Sequence, residues 1–159
     1  MAAGSTYTPI ATTTLGSNTA TVTFSSISGY TDIRAVLSAK LVTGSQSGMM
    51  RFNSDSGTNY SFTYLVNTAS GRATGTTFAL AGGFTNTEFA PAIVDIMNYA
   101  NTTTYKTVLD RRGYASSYTG ADVSLWRNTA AITSISFIPE NGDNWITGST
   151  FTLYGIASA

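Results

Sequence analysis

Apolar and hydroxylated residues alternate with a period of two along most of this chain. Ile33, Ala35, Leu37, Ala39 and Leu41 fall on one side of a run whose other side carries Arg34, Val36, Ser38, Lys40 and Val42. That period belongs to a strand with one face turned to a core and the other partly wet. Tyr60, Phe62, Tyr64 and Val66 alternate in the same way with Ser61, Thr63 and Leu65, and Ala92, Val94, Ile96 and Asn98 with Ile93, Asp95 and Met97. Pro91 introduces the last of these, as proline is tolerated at a strand's first residue. Further strands are expected at 7–15, 19–24, 49–53, 105–111, 123–127, 132–138 and 149–156. Residues 54–58 are a cluster of turn formers, so 49–53 and 60–66 read as a hairpin with a loop of about five residues. The Gly-, Ser- and Thr-rich stretch 68–83 reads as a loop leading into a short strand at 76–80, and 113–120 as a Gly-Tyr-Ser loop.

The count comes to about nine or ten strands and no substantial helix, since Glu, Lys and Gln are almost missing. Short strands punctuated this evenly fit an all-β protein, an antiparallel two-sheet sandwich of jelly-roll type. The 159 residues suffice for one domain of ordinary size, 1–159, with a short N-terminal arm over about 1–6. The strings beginning at Thr74 and Thr147 resemble each other, but such strings are cheap in a chain with 28 Thr and 19 Ser. No linker divides the sequence.

Charge changes the picture by its scarcity. Eight basic residues balance eight acidic ones, and the charged set is only 10% of the chain. The surface must then be hydroxyl and amide, without the basic footprint that phosphate backbones or anionic membranes require, so neither nucleic acid nor membrane is expected as a partner. There is no His and no Cys. Their absence removes Ser-His-Asp and Cys-His catalysis, zinc sites built on imidazole or thiolate, and disulfides. The N-terminus lacks a basic region followed by an apolar core, so no export signal is expected.

Asp95, Asp110 and Asp122 lie in or beside strands near arginines and read as ion-pair partners, not as a facing acid/base pair. Residues 53–59 offer oxygen ligands at alternate positions, as a calcium loop does. The glycine is misplaced for that role and no Glu closes the set, so a tight turn explains the same letters and no metal or other cofactor is expected. Aromatics are the most plentiful contacts. Tyr114 and Tyr118, with Arg112 and the tryptophans Trp126 and Trp145, combine flat faces with hydrogen-bonding groups, the chemistry of subunit interfaces and of sugar recognition. Arg127, with Arg72, Arg111 and Arg112, reads as pairing within or between subunits. Nothing marks a general base, and no enzyme is expected.

Several strings carry a resemblance. Tyr7-Thr-Pro-Ile-Ala-Thr-Thr-Thr-Leu-Gly16, Val22-Thr-Phe-Ser-Ser-Ile27, Arg51-Phe-Asn53 with Asn59-Tyr-Ser61, Ile96-Met-Asn-Tyr-Ala-Asn, Leu125-Trp-Arg127 and Gly148-Ser-Thr-Phe-Thr-Leu-Tyr-Gly-Ile156 run from one end to the other. In them the chain resembles a family of small virion structural proteins of tailed bacteriophages, including cyanophages and other phages of marine and freshwater bacteria. The family often ends Gly-Ile-Lys, where this chain has Gly155-Ile-Ala-Ser-Ala. The resemblance implies a β-sandwich on the outer surface of the phage head or tail. One form is an oligomeric capsid decoration or cement protein, preferably a homotrimer, held by itself and by other virion proteins such as the major capsid protein. The alternative is a tail-fibre module that recognises host-surface glycan.

Overall fold

The computed structural model describes residues 6–115 and 118–157. It is built from β1 (Tyr7–Thr14), β2 (Val22–Ser25), β3 (Asp32–Ala39), β4 (Ser45–Phe52), β5 (Tyr60–Val66), β6 (Ala69–Thr76), β7 (Ala79–Thr85), β8 (Ala90–Met97), β9 (Lys106–Tyr114), β10 (Tyr118–Trp126), β11 (Ser134–Pro139) and β12 (Thr150–Ile156). A single 3-10 turn, Glu140–Gly142, follows β11. An eight-stranded sheet has the order β1-β12-β3-β8-β9-β10-β5-β6, and a four-stranded sheet the order β2-β11-β4-β7. All pairings are antiparallel, and the two sheets pack as a sandwich. Without β5, β6, β9 and β10, the remaining strands alternate between the sheets along the chain except at β4 and β7, which pair in the small sheet, with β1-β12-β3-β8 over β2-β11-β4-β7. That order is consistent with a jelly roll. The four extra strands widen one sheet far beyond the other.

The expectation of an all-β sandwich holds, and four details of it are corrected. The strands number twelve among the described residues. Residues 49–53 and 60–66 do not form a hairpin: β4 lies in the small sheet and β5 in the large one, so 53–59 is a crossover between layers. The hairpin partner of β5 is β6, which starts just after Asn67 and Thr68, where a loop was expected. Likewise 113–120 is mostly strand, because β9 and β10 pair from Tyr114 opposite Tyr118 to Lys106 opposite Trp126. The expected arm, apart from Thr6, lies outside the described residues, as do Ser116 and Ser117.

The core is aromatic at its centre. Trp145 is fully buried, with its ring edge-on to Phe84 at 4.9 Å and to Phe151 at 5.3 Å between centroids. Its Nε1–H donates to the Phe137 carbonyl at 3.2 Å. Burying aromatics contributes the largest share of apolar area per residue in such a core. The second tryptophan anchors the crossover. Trp126 stacks on Tyr60 and packs at a tilt against Phe52, and its Nε1–H donates to the Asp55 carboxylate at 2.7 Å.

β7 ends the small sheet on one side, and an edge strand normally exposes a row of unpaired N–H groups. Here the wider sheet supplies the partners. The Leu80 N–H donates to the Ser124 hydroxyl at 3.2 Å, and the Gly82 N–H donates to the Asp110 carboxylate. All seven residues of β7 are buried under β8, β9, β10 and β5. A carboxylate thus enters a strand interior to close a sheet edge that would otherwise leave buried donors orphaned.

Candidate functional site

Because the large sheet overhangs the small one, its inner face beyond β7 has no second layer beneath it. The side chains there are Phe62, Tyr64 and Val66 of β5, which alternate inward by the ordinary period of a strand. β6 opposes Phe62 with Ala73, Tyr64 with Gly71 and Val66 with Ala69. The glycine leaves room for the ring, since a Cβ on Gly71 would stand 2.5 Å from the Tyr64 hydroxyl oxygen. Large rings over small neighbours make a ledge.

The ledge is one wall of a cleft of about 350 Å³. Phe78, from the β6–β7 connection, stacks on Phe62 with centroids 5.9 Å apart and planes 27° from parallel. Leu80 forms the floor, and Ser47, Glu140, Arg112 and Tyr118 form the other side. The Tyr118 ring separates this cleft from a second cavity of about 260 Å³, lined by Gln46, Gly83, Phe84 and Tyr114 along with Ser47 and Glu140. Tyr118 is fixed from both sides. It stacks on Tyr114 at 4.8 Å with planes 5° apart, and the Arg112 guanidinium carbon sits 5.7 Å from its ring centroid. Gly83 makes room for it, since a Cβ there would meet the ring at 2.5 Å. Burial pushes the Tyr118 hydroxyl above its ordinary range, against the pull of the Arg112 charge, so it remains a neutral donor at physiological pH.

Behind the cleft lies a buried charge cluster. Arg112 Nη1 is 3.1 Å from Asp110 Oδ2 and 2.5 Å from Asp122 Oδ2, and all three side chains are at most 2% exposed. Burial pushes the Asp122 carboxyl up to about 7; the Arg112 charge lowers it and the neighbouring Asp110 charge raises it again. Asp110 is raised too, by burial, although Arg112 and the Gly82 N–H pull it down. Two carboxylates on one guanidinium leave a surplus negative charge that a proton relieves.

Of the six residues singled out in the sequence, the structure brings Arg112, Tyr114 and Tyr118 together at these cavities. Trp126 and Trp145 are core residues, 1% and 0% exposed. Arg127 has no Asp partner within the described residues of one chain; it donates from Nη2 to the Thr58 carbonyl at 2.8 Å and the Tyr60 carbonyl at 3.2 Å, closing the crossover. Asp95 pairs with arginine as read, accepting from Arg34 in bidentate fashion and from Arg111 at 2.9 Å. Phe62, Tyr64, Phe78 and Glu140 were missed, because alternating aromatics in a strand read as core. The signal for a ledge was the run of Ala and Gly in 69–73, too small to cover them. Among the described residues no three carboxylates gather as they would round a metal ion.

The opposite face of the large sheet is broad, flat and nearly uncharged. Val36, Leu65, Met97 and Val123 project from it with 37%, 62%, 40% and 51% of their surface exposed. Thr12, Thr14, Thr150 and Thr152 pair across β1 and β12 through their hydroxyls. Near its centre Arg34 and Arg111 both pair with Asp95, which leaves one positive charge over, and Arg72 stands opposite the exposed Thr63 of the same face.

Comparison with known proteins matches no protein-family model to this chain and no curated protein.

Proposed function

We propose that this protein is a structural component of a tailed-bacteriophage virion, a decoration subunit held as a homotrimer on the outer surface of the particle. The observation that carries the reading is the outer face of the eight-stranded sheet, where four large apolar side chains stand exposed among threonines. Large apolar side chains exposed on one face of a sheet suit an interaction face. A face with few charges is best covered by one equally poor in charge, and further copies of the same chain and neighbouring shell proteins provide it. The jelly-roll strand order is compatible with this role, since viral capsid domains are among the proteins that use it, although a fold alone hosts many functions. The residues resembling small phage virion proteins add the particle to the reading.

The test has two parts. Sedimentation velocity of the purified protein at micromolar concentration is expected to give a trimer. Antibody raised against it is expected to gold-label the heads of phage particles that encode it, in many copies per shell. A monomer in solution, together with particles that carry no label, overturns the proposal; a few copies at the tail tip replace decoration by adhesion.

A further inference from the structure

We infer that the cleft between the β5–β6 ledge and the Glu140 turn is a binding site for a neutral pyranose sugar. The inference stands apart from the virion assignment, because it concerns the inner side of the overhang and not the outer face.

The two sides of the cleft differ in chemistry. Phe62 and Phe78 present stacked ring faces, with Leu80 as the floor. A pyranose has an apolar face of C–H groups suited to such rings and an equatorial edge of hydroxyls. The same cleft is lined by Glu140, Ser47 and Tyr118, which carry a carboxylate and two hydroxyls. A carboxylate accepts two hydroxyls at once, which fixes a ring's orientation as well as its presence. A cavity of 350 Å³ lies at the small end of ligand sites, which run from about 300 to about 1,000 Å³.

Charge selects the class of sugar. The lining and the cluster directly behind it hold one guanidinium against the carboxylates of Asp110, Asp122 and Glu140. Glu140 forms no ion pair among the described residues. The field in the cleft is therefore negative, and uronic or sialic acids are repelled.

Saturation-transfer NMR on the purified full chain tests this, using methyl glycosides of glucose, galactose, mannose and N-acetylglucosamine, with glucuronate and sialic acid as anionic counterparts. At least one neutral glycoside is expected to bind with a millimolar Kd, the strength available to so small a ligand on one aromatic platform. Glu140→Gln, a change on a partly exposed turn, is expected to weaken it about tenfold or more, as loss of a charged acceptor does. Phe78→Ala is expected to abolish it, with melting curves confirming that both variants fold. The inference is overturned if no neutral glycoside transfers saturation at tens of millimolar, if anionic sugars bind as well as neutral ones, or if neither substitution changes binding. It is overturned also if Phe78→Ala dissociates an oligomer, because a second copy then fills the cleft.

Discussion

Asp110 and Asp122 stand directly opposite each other in the β9–β10 ladder, both on the buried face, with a single guanidinium, that of Arg112, against the two carboxylates. Like charges placed opposite in a sheet repel, and neither has water to screen it. Arg112→Met removes the only cation and leaves both carboxylates stranded. The expected loss in urea unfolding at pH 8 is about 3–5 kcal/mol, the cost of breaking a buried pair. Asp122→Asn keeps the Arg112–Asp110 pair and the Gly82 contact, so it is expected to cost far less. Equal stability of Arg112→Met and the parent would show that the cluster is not electrostatically closed.

The same cluster sets a pH dependence whose sign is unusual for carboxylates. The folded Asp122 carboxyl lies at about 7, above the ordinary value of 3.8, and Asp110 is raised as well. The folded protein then binds protons that the unfolded chain has released, so stability falls as pH rises through this window. The contribution is fully present below about 4 and lost by the time pH passes about 7. The melting temperature is expected to be higher at pH 5 than at pH 8, and Asp122→Asn to flatten the difference. A melting temperature that rises from pH 5 to pH 8 would refute the assignment.

How much of this was legible in the chain depends on side-chain size. The strand of Ile33, Ala35 and Leu37 was plain, because apolar residues recur at every second position, with Ile33 and Leu37 large, and each is buried. β6 was invisible, because the positions opposite Val66, Tyr64 and Phe62 are the small Ala69, Gly71 and Ala73, and a Cβ on Gly71 would collide with the Tyr64 ring. Gly113 and Gly120 gave 113–120 the look of a loop; a Cβ on Gly120 would stand 3.2 Å from Arg112 Nε, so a strand glycine there leaves space for the guanidinium. The crossover at 53–59 was misread as a hairpin because local turn letters fix a reversal but not the sheet that receives the next strand. Arg112, Tyr114 and Tyr118 could be found because they cluster in sequence, whereas Phe62, Phe78 and Glu140 meet only through topology.

That crossover rests on Asp55. Its carboxylate accepts from the Gly57 N–H at 2.8 Å, the Asn59 side-chain amide at 3.0 Å and Trp126 Nε1 at 2.7 Å. Burial raises the Asp55 carboxyl, but these donors, Trp126 foremost, together bring it below its usual value. Asp55→Ala leaves the indole N–H without its acceptor, and a loss of about 1–3 kcal/mol is expected in chemical denaturation. Since the folded value is depressed, this contribution is present above the ordinary carboxylate range and is lost as pH falls below it. The difference between the variant and the parent should therefore shrink in acid below about pH 3. A constant difference would mean that the carboxylate is not what the indole requires.

The outer face separates folding from assembly. Val123 and Leu65 are 51% and 62% exposed, so Val123→Glu and Leu65→Lys remove little from the core. Stability is expected to stay within about 0.5 kcal/mol of the parent, as for other surface substitutions. Assembly is another matter. Burying an unpaired charge in an interface is costly, so each variant is expected to shift the trimer toward monomer in sedimentation velocity and to lose attachment to particles. For the parent, attachment should change little between about 50 mM and about 500 mM salt, because the face offers few charges to screen and Arg34 and Arg111 are already paired with Asp95. A sharp loss of attachment with salt, or trimers that survive Val123→Glu, would move the interface away from this sheet.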